Sequence, residues 1–208
     1  MFKPHTLVFM LTASALVGCQ ATNTTSGGAV GVDRKQYMFS MLSTEQVNQM
    51  YAQSYQQTLS EASKKGVLEK SSAVSKRVNT IAQRLIAEVP AFRPDAAQWN
   101  WEVNVIDSPE LNANCGPGGK IIFYTGLIEK LKLTDDEIAA VMGHEIAHAI
   151  ERHGTQAMTR QYGAELLIQI LLEGDAQELA GLGNGLLQLS YGREAEFDAD
   201  RKGLRYMA

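Results

Sequence analysis

Two histidines four residues apart, His144 and His148, stand inside a stretch whose apolar residues recur at helical spacing, and no other feature constrains the chain as much. A helix turns about 100° per residue, so positions four apart share a face, one turn up. Two imidazoles can therefore aim at one point, with Glu145 between them in sequence and close enough to reach the same place. The helix itself is well specified. Thr134-Asp135-Asp136-Glu137 has the form of a capping box, with acidic residues where the helix dipole favours them. Ile138, Val141, Met142, Ala149 and Ile150 follow at the spacing of a buried helix. Two neutral imidazoles and a carboxylate supply what a hydrolytic Zn²⁺ site needs: two ligands and a base for water. The alternative is a pair of ordinary core histidines that met this spacing by chance. Against it, a buried ionisable trio without a metal is costly, because polar groups removed from water need partners.

A third ligand has to come from elsewhere. The metzincin pattern requires Gly three and His six residues past the second histidine. Those positions hold Glu151 and Gly154, and Arg152-His153-Gly154 reads as the helix end, with Gly as the stop. In Arg193-Glu194-Ala195-Glu196-Phe197-Asp198-Ala199-Asp200, Glu196 and Asp200 stand four apart on an expected helix. Glu196 can offer an oxygen ligand while Asp200, one turn on, accepts a hydrogen bond from a ligand imidazole and fixes its tautomer. Glu194 and Asp198 read as solvated helix surface.

The remaining elements follow from periodicity. A helix starts at Ser43-Thr44-Glu45-Gln46 and ends by Gly66, with Val47, Met50, Tyr51, Tyr55 and Leu59 on one stripe. A second runs from Ser71 or Ser72 to before Pro90, burying Val74, Val78, Ile81, Leu85 and Ile86. Trp99 to Val105 alternates apolar and polar, as a half-buried strand does, and Lys120 to Thr125 is a second strand after a turn-rich stretch from Asp107 to Gly119. A short helix follows Gly126, and another runs from Thr155 to Glu173. Gly181 to Gly185 is a Gly-rich stretch that could line or gate a site. An edge strand beside the histidine helix could accept an extended peptide as an extra strand. The alternative is a small sheet that only covers the core.

At 208 residues with a net charge of -4, the chain has room for one domain with a real core and no excess of positive charge for nucleic acid. Its start reads as a targeting segment: Lys3, then a short apolar run from Thr6 to Leu16, then Val17-Gly18-Cys19. Leu16-Val17-Gly18-Cys19 resembles the bacterial lipobox, whose cysteine is lipidated. Gln20 after it resembles the pattern for sorting to the outer membrane. An ordinary cleaved signal peptide is the alternative. Ala21 to about Val32 is rich in Thr, Ser and Gly, as a tether is. With Cys19 lipidated, Cys115 has no partner in the chain. Three readings stand: a buried thiol, an intermolecular disulfide, or a thiolate that reaches and blocks the metal.

These segments together resemble the M48 family of zinc peptidases, gluzincins that include CAAX-prenyl endopeptidases and several periplasmic metalloproteases. The resemblance runs from about Val74 to the C-terminus. Leu111-Asn112-Ala113 with Pro117-Gly118-Gly119-Lys120-Ile121 is similar to the family's segment before its active-site strand. His144 to His148, then Arg152-His153, is similar to its zinc helix, and Tyr191-Gly192-Arg193 with Glu196 to Asp200 to its third-ligand helix. The resemblance implies His144, His148 and Glu196 as ligands to one Zn²⁺ per chain, Glu145 as base and Asp200 as supporting carboxylate. Asn114-Cys115-Gly116 replaces bulkier apolar residues, and Gly192 replaces a serine. Relatives continue with further helices beyond the position of Ala208, so either this is a truncated form or the group that stabilises the oxyanion is absent.

The expected fold is α+β: a mainly helical, zincin-like (gluzincin) metalloprotease domain with a small sheet beside the zinc helix. The expected divisions are a lipoprotein signal peptide over 1–18, a flexible tether over 19–42 and the peptidase domain over 43–208. The expected activity is hydrolysis of peptide bonds in envelope proteins, with misfolded proteins as substrates in quality control. The expected place is the outer membrane, lipid-anchored and facing the periplasm, with no nucleic-acid partner. The alternative is a chaperone-like binding lipoprotein with a latent zinc site, working with the outer-membrane assembly machinery.

Overall fold

The computed structural model describes residues 19–23, 35–39, 44–158, 160, 185 and 191–208. The expected signal peptide, nearly all of the Gly-rich stretch and most of the helix expected over 155–173 lie outside the described residues. Within the segment expected as a tether, strand β1 (Cys19–Asn23) pairs antiparallel with β2 (Lys35–Phe39), Cys19 opposite Phe39. The Tyr-Met-Phe end of β2 suits a strand, and the composition of 21–32 does not reveal the pairing.

Helix α1 (Thr44–Lys64) buries Val47, Met50, Tyr51, Tyr55 and Leu59, the stripe read from its spacing. Helix α2 (Ala73–Phe92) starts at Ser72, whose hydroxyl accepts from the Ser75 N–H at 3.1 Å. It continues past the expected stop and carries Pro90 in its last turn, where the missing N–H leaves the Ile86 carbonyl without its intrahelical donor. Val89 is thereby buried at its end.

Among the described residues a second sheet has the order β3 (Leu68–Glu69), β4 (Glu102–Ile106), β6 (Lys120–Tyr124), β5 (Ala113–Gly116). Strand β6 is parallel to β4 and antiparallel to β5, with Cys115 opposite Ile121. Strand β5 lies inside the stretch read as turns. Asn, Ala and Gly have little strand propensity, so β5 owes its form to pairing with β6 across the tight turn at Gly116–Gly119. It is one edge of the sheet among the described residues, with β3 at the other.

Helix α1 covers one face of the sheet. Tyr55 donates to the Ile121 carbonyl at 3.3 Å and accepts from the Asn104 amide at 2.7 Å. Tyr51 donates to Asn114 Oδ1 at 3.1 Å, and its ring occupies the space that a Cβ at Gly116 would take. On the other face, Val105, Ile121 and Phe123 pack with α2 and with α4 (Asp135–Ile150). Each large apolar side chain buried there contributes about 1.5–3 kcal/mol. The short helix α3 (Thr125–Leu131) leads into α4, whose Thr134–Glu137 capping box is formed in both directions. The mainly helical α+β architecture expected from the sequence is therefore present. Helix α5 (Arg193–Tyr206) crosses α4 and completes the core with Ala199 and Tyr206.

Candidate metal centre

Helix α4 places His144 and His148 one turn apart, and α5 brings a carboxylate to them. His144 Nε2 and His148 Nε2 stand 2.9 Å apart. Glu196 reaches both, with Oε2 at 3.4 Å from His144 Nε2 and Oε1 at 3.8 Å from His148 Nε2. One potential ligand atom from each of His144, His148 and Glu196 lies within 4.8 Å of the others. Atoms bound about 2.0–2.2 Å from a tetrahedral ion stand roughly 3.3–3.6 Å from one another, a spacing close to these separations. Two imidazole nitrogens and one carboxylate form the N/O donor set of a hydrolytic zinc site with an open position, so the residues fit that ion.

The backs of the two rings are also engaged. His144 Nδ1 donates to Asp200 Oδ1 at 2.8 Å, and His148 Nδ1 lies 3.0 Å from His153 Nδ1. The Tyr191 ring stacks on His148, with centroids 4.1 Å apart and planes inclined by 18°. Burial first, then the neighbouring His153 and His144, push His148 down to about 3, so it is neutral at ordinary pH, as a metal ligand must be. Burial first, then repulsion from Glu196, push Glu145 up to about 8, while a hydrogen bond from the Cys115 backbone acts the other way. A cation placed among these groups reverses that logic and favours the carboxylate.

Two glycines allow α5 to lie this close. A Cβ at Gly203 would sit 2.6 Å from the His144 nitrogen, and one at Gly143 would sit 2.9 Å from the Gly203 carbonyl oxygen. Backbone therefore meets backbone at the crossing. Glu196, Ala199, Asp200 and Gly203 form one stripe of α5, at spacings of three and four, and that stripe is laid over α4.

The helix end differs from the reading that made Gly154 its stop. Helix α4 ends at Ile150, Arg152 adopts the left-handed conformation at φ 57°, and residues 153–158 are helical again. On a continuous helix His153 would lie about 140° around from His148. The break brings it back. Arg93 donates to the Ile150 carbonyl at 2.6 Å and so ties down the end of α4.

The structure brings together all five residues singled out on α4 and α5. Cys115 is not one of the converging ligand groups: it is a buried free thiol in the core, and burial raises its pKa. Asp198, read as solvated surface, has a side chain only 15% exposed and pairs with Lys202 at 3.0 Å. Lys202 also pairs with Glu151 at 2.7 Å, and Glu151 is fully buried. Sequence reasoning gave Glu151, Lys202, Tyr191 and His153 no place in the site. A lysine four residues from an aspartate on the same helix was one signal, and the place of His153 and Tyr191 within the segments that resemble the family's was another.

Strand β5 adjoins this centre. The Asn112 carbonyl accepts from the Tyr124 N–H, so the backbone groups of Asn114 and Gly116 also face β6, while those of Ala113 and Cys115 face outward. The Cys115 bond to Glu145 agrees with that alternation.

The chain is 37% identical over 110 residues to the mitochondrial metalloendopeptidase OMA1 of Arabidopsis thaliana, covering 52% of this chain and 22% of that protein. It is 28% identical over 147 residues to the beta-barrel assembly-enhancing protease of Yersinia pestis, covering 62% of this chain and 28% of that protein. It is 27% identical over 201 residues to metalloprotease LoiP of Escherichia coli (strain K12), covering 93% of this chain and 74% of that protein. The chain thus spans only 22% and 28% of the first two of these relatives. The family model of peptidase family M48 matches residues 72–208, from the residue that caps α2 through the whole of α5, and the chain accordingly belongs to that family.

Proposed function

We propose that the chain is a zinc-dependent endopeptidase that cleaves proteins of the bacterial envelope. The observation that carries this reading is the convergence of His144 Nε2, His148 Nε2 and the Glu196 carboxylate beside the carboxylate-bearing Glu145. His144, His148 and Glu196 hold the ion, and Asp200 orients His144 through its 2.8 Å hydrogen bond. A zinc ion held there supplies Lewis acidity that polarises a carbonyl and acidifies water. Glu145 takes a proton from the attacking water and returns it to the leaving amine. The outward backbone groups of Ala113 and the outward carbonyl of Cys115, whose N–H is taken by Glu145, offer an extended substrate a strand edge to pair with, which would hold its scissile carbonyl beside the histidines.

Envelope substrates are supported by the name of one bacterial relative, the beta-barrel assembly-enhancing protease, and protease activity by that of another, metalloprotease LoiP. A role in quality control, with misfolded envelope proteins as substrates, is supported by the edge position of β5, which would pair with extended backbone. The lipobox-like Leu16-Val17-Gly18-Cys19 supports a lipid anchor on Cys19 at the outer membrane. Among the described residues, no helix is long and apolar enough to cross a membrane.

The test is metal analysis and cleavage of an unfolded protein by the purified full chain. About one zinc per chain, with cleavage abolished by a chelator and restored by zinc, is the expected result. Tight zinc binding without any cleavage would favour the binding lipoprotein instead. Cys19→Ala should leave the protein outside the membrane fraction, and unchanged fractionation would exclude the anchor.

A further inference from the structure

We propose that His153 is a positioning residue of the metal centre, holding His148 in the tautomer that presents a bare Nε2 to the ion. The inference rests on the zinc reading above. His148 directs Nε2 towards His144 and Glu196, so its proton belongs on Nδ1 when it serves as a ligand. That Nδ1 lies 3.0 Å from His153 Nδ1. Two ring nitrogens at this distance share one proton: one donates and the other accepts. With His148 donating, His153 accepts at Nδ1 and carries its own proton on Nε2.

The surroundings of His153 suit that arrangement. Its Nε2 faces Asp198 Oδ2 at 3.7 Å, an acceptor placed on the side where the proton must be. Asp198 is held by Lys202 at 3.0 Å, and Lys202 by Glu151 at 2.7 Å. His153 and Glu151 are fully buried, and Lys202 is 4% exposed. Breaking such a buried pair leaves a charge unpaired, so the chain from Glu151 to Asp198 is rigidly set. It ties the segment after the α4 break to α5, which carries Glu196. Tyr191 stacked on His148 fixes the plane of the ring, while His153 fixes its rotation within that plane.

The two ligand imidazoles are thus oriented by unlike partners. A carboxylate, Asp200, backs His144, and a neutral imidazole backs His148. Asp198 stands behind His153, 3.7 Å from its Nε2, rather than directly behind His148 Nδ1.

The test combines two measurements on the full chain. Nitrogen-15 spectra of the histidine rings in the zinc-loaded protein should show His148 protonated at Nδ1 and His153 at Nε2. Zinc affinity, measured by chelator competition, should fall about 10- to 100-fold in His153→Leu, the range for loss of a partner behind a ligand. His153→Asn keeps an acceptor near the position of Nδ1 and should recover most of that loss, with the two variants melting at similar temperatures without zinc. Equal zinc affinity in the two variants, or a proton on His153 Nδ1, would overturn the proposal. Zinc binding in His153→Leu as tight as in the unmodified chain would overturn it while leaving the zinc reading intact. Failure of the unmodified chain to bind zinc would remove the zinc reading and this proposal together. Where His153→Leu does not fold, the ring spectra of the unmodified chain decide the matter alone.

Discussion

Gly203 on α5 lies directly against the backbone of His144 on α4, close enough that a Cβ on Gly203 would stand 2.6 Å from the His144 nitrogen. The distance between the two helices at this crossing sets the distance between Glu196 and the histidines, because Glu196 lies two turns earlier on the same stripe of α5. Gly203→Ala should therefore push α5 outward. The expected cost is about 1–3 kcal/mol, as for overpacking, with weakened zinc binding, read by urea unfolding and chelator competition. Unchanged values for both would mean that the crossing has slack.

Removing groups from the site should give graded losses. Glu196→Ala takes away one of three ligands and should leave zinc that dialysis removes. Asp200→Ala takes away only the acceptor behind His144 and should weaken binding by about 10- to 100-fold. Full zinc occupancy of Glu196→Ala after dialysis would place the third ligand elsewhere.

Glu145→Gln separates cleavage from binding. The shape of the side chain is kept and the base is lost, while His144, His148 and Glu196 are untouched. Zinc should be retained and cleavage should fall by about 100-fold or more, measured with an unfolded protein substrate. Extended substrates should then be captured at the intact β5 edge. An unchanged rate would remove Glu145 from the mechanism.

Tyr51 and Gly116 should respond as one unit. A methyl at Gly116 falls inside the Tyr51 ring, so Gly116→Ala should destabilise the fold and displace β5. Tyr51→Phe keeps the ring and loses the hydrogen bond to Asn114, at about 0.5–1.5 kcal/mol. Thermal unfolding of the two variants should rank them in that order. Combining Gly116→Ala with Tyr51→Ala should recover part of the activity lost in Gly116→Ala, because the methyl then has room.

Relations within one helix could be read from the chain itself. His144 and His148 share a face because four residues make roughly one turn, and the same holds for Glu196 and Asp200. The Thr134 cap, the buried stripe of α1 and the start of α2 at Ser72 are equally local, since each depends on residues a few positions apart. The mainly helical fold with its small sheet follows from the same spacing. Relations between elements were settled only by packing. Strand β5 has no strand composition and exists through its pairing with β6, so its sequence reads as turn. The chain reverses at the left-handed Arg152, two residues before the Gly154 read as the stop, and this reversal carries His153 to His148. Nothing in the sequence marks Glu151 and Lys202 for burial, because a charged side chain is usually solvated. They are buried because α5 lies over the end of α4 and each supplies the other's counter-charge across 51 residues of chain. Periodicity says which side chains share a face. Which faces meet depends on how closely two backbones can approach, and here two glycines without side chains decide it.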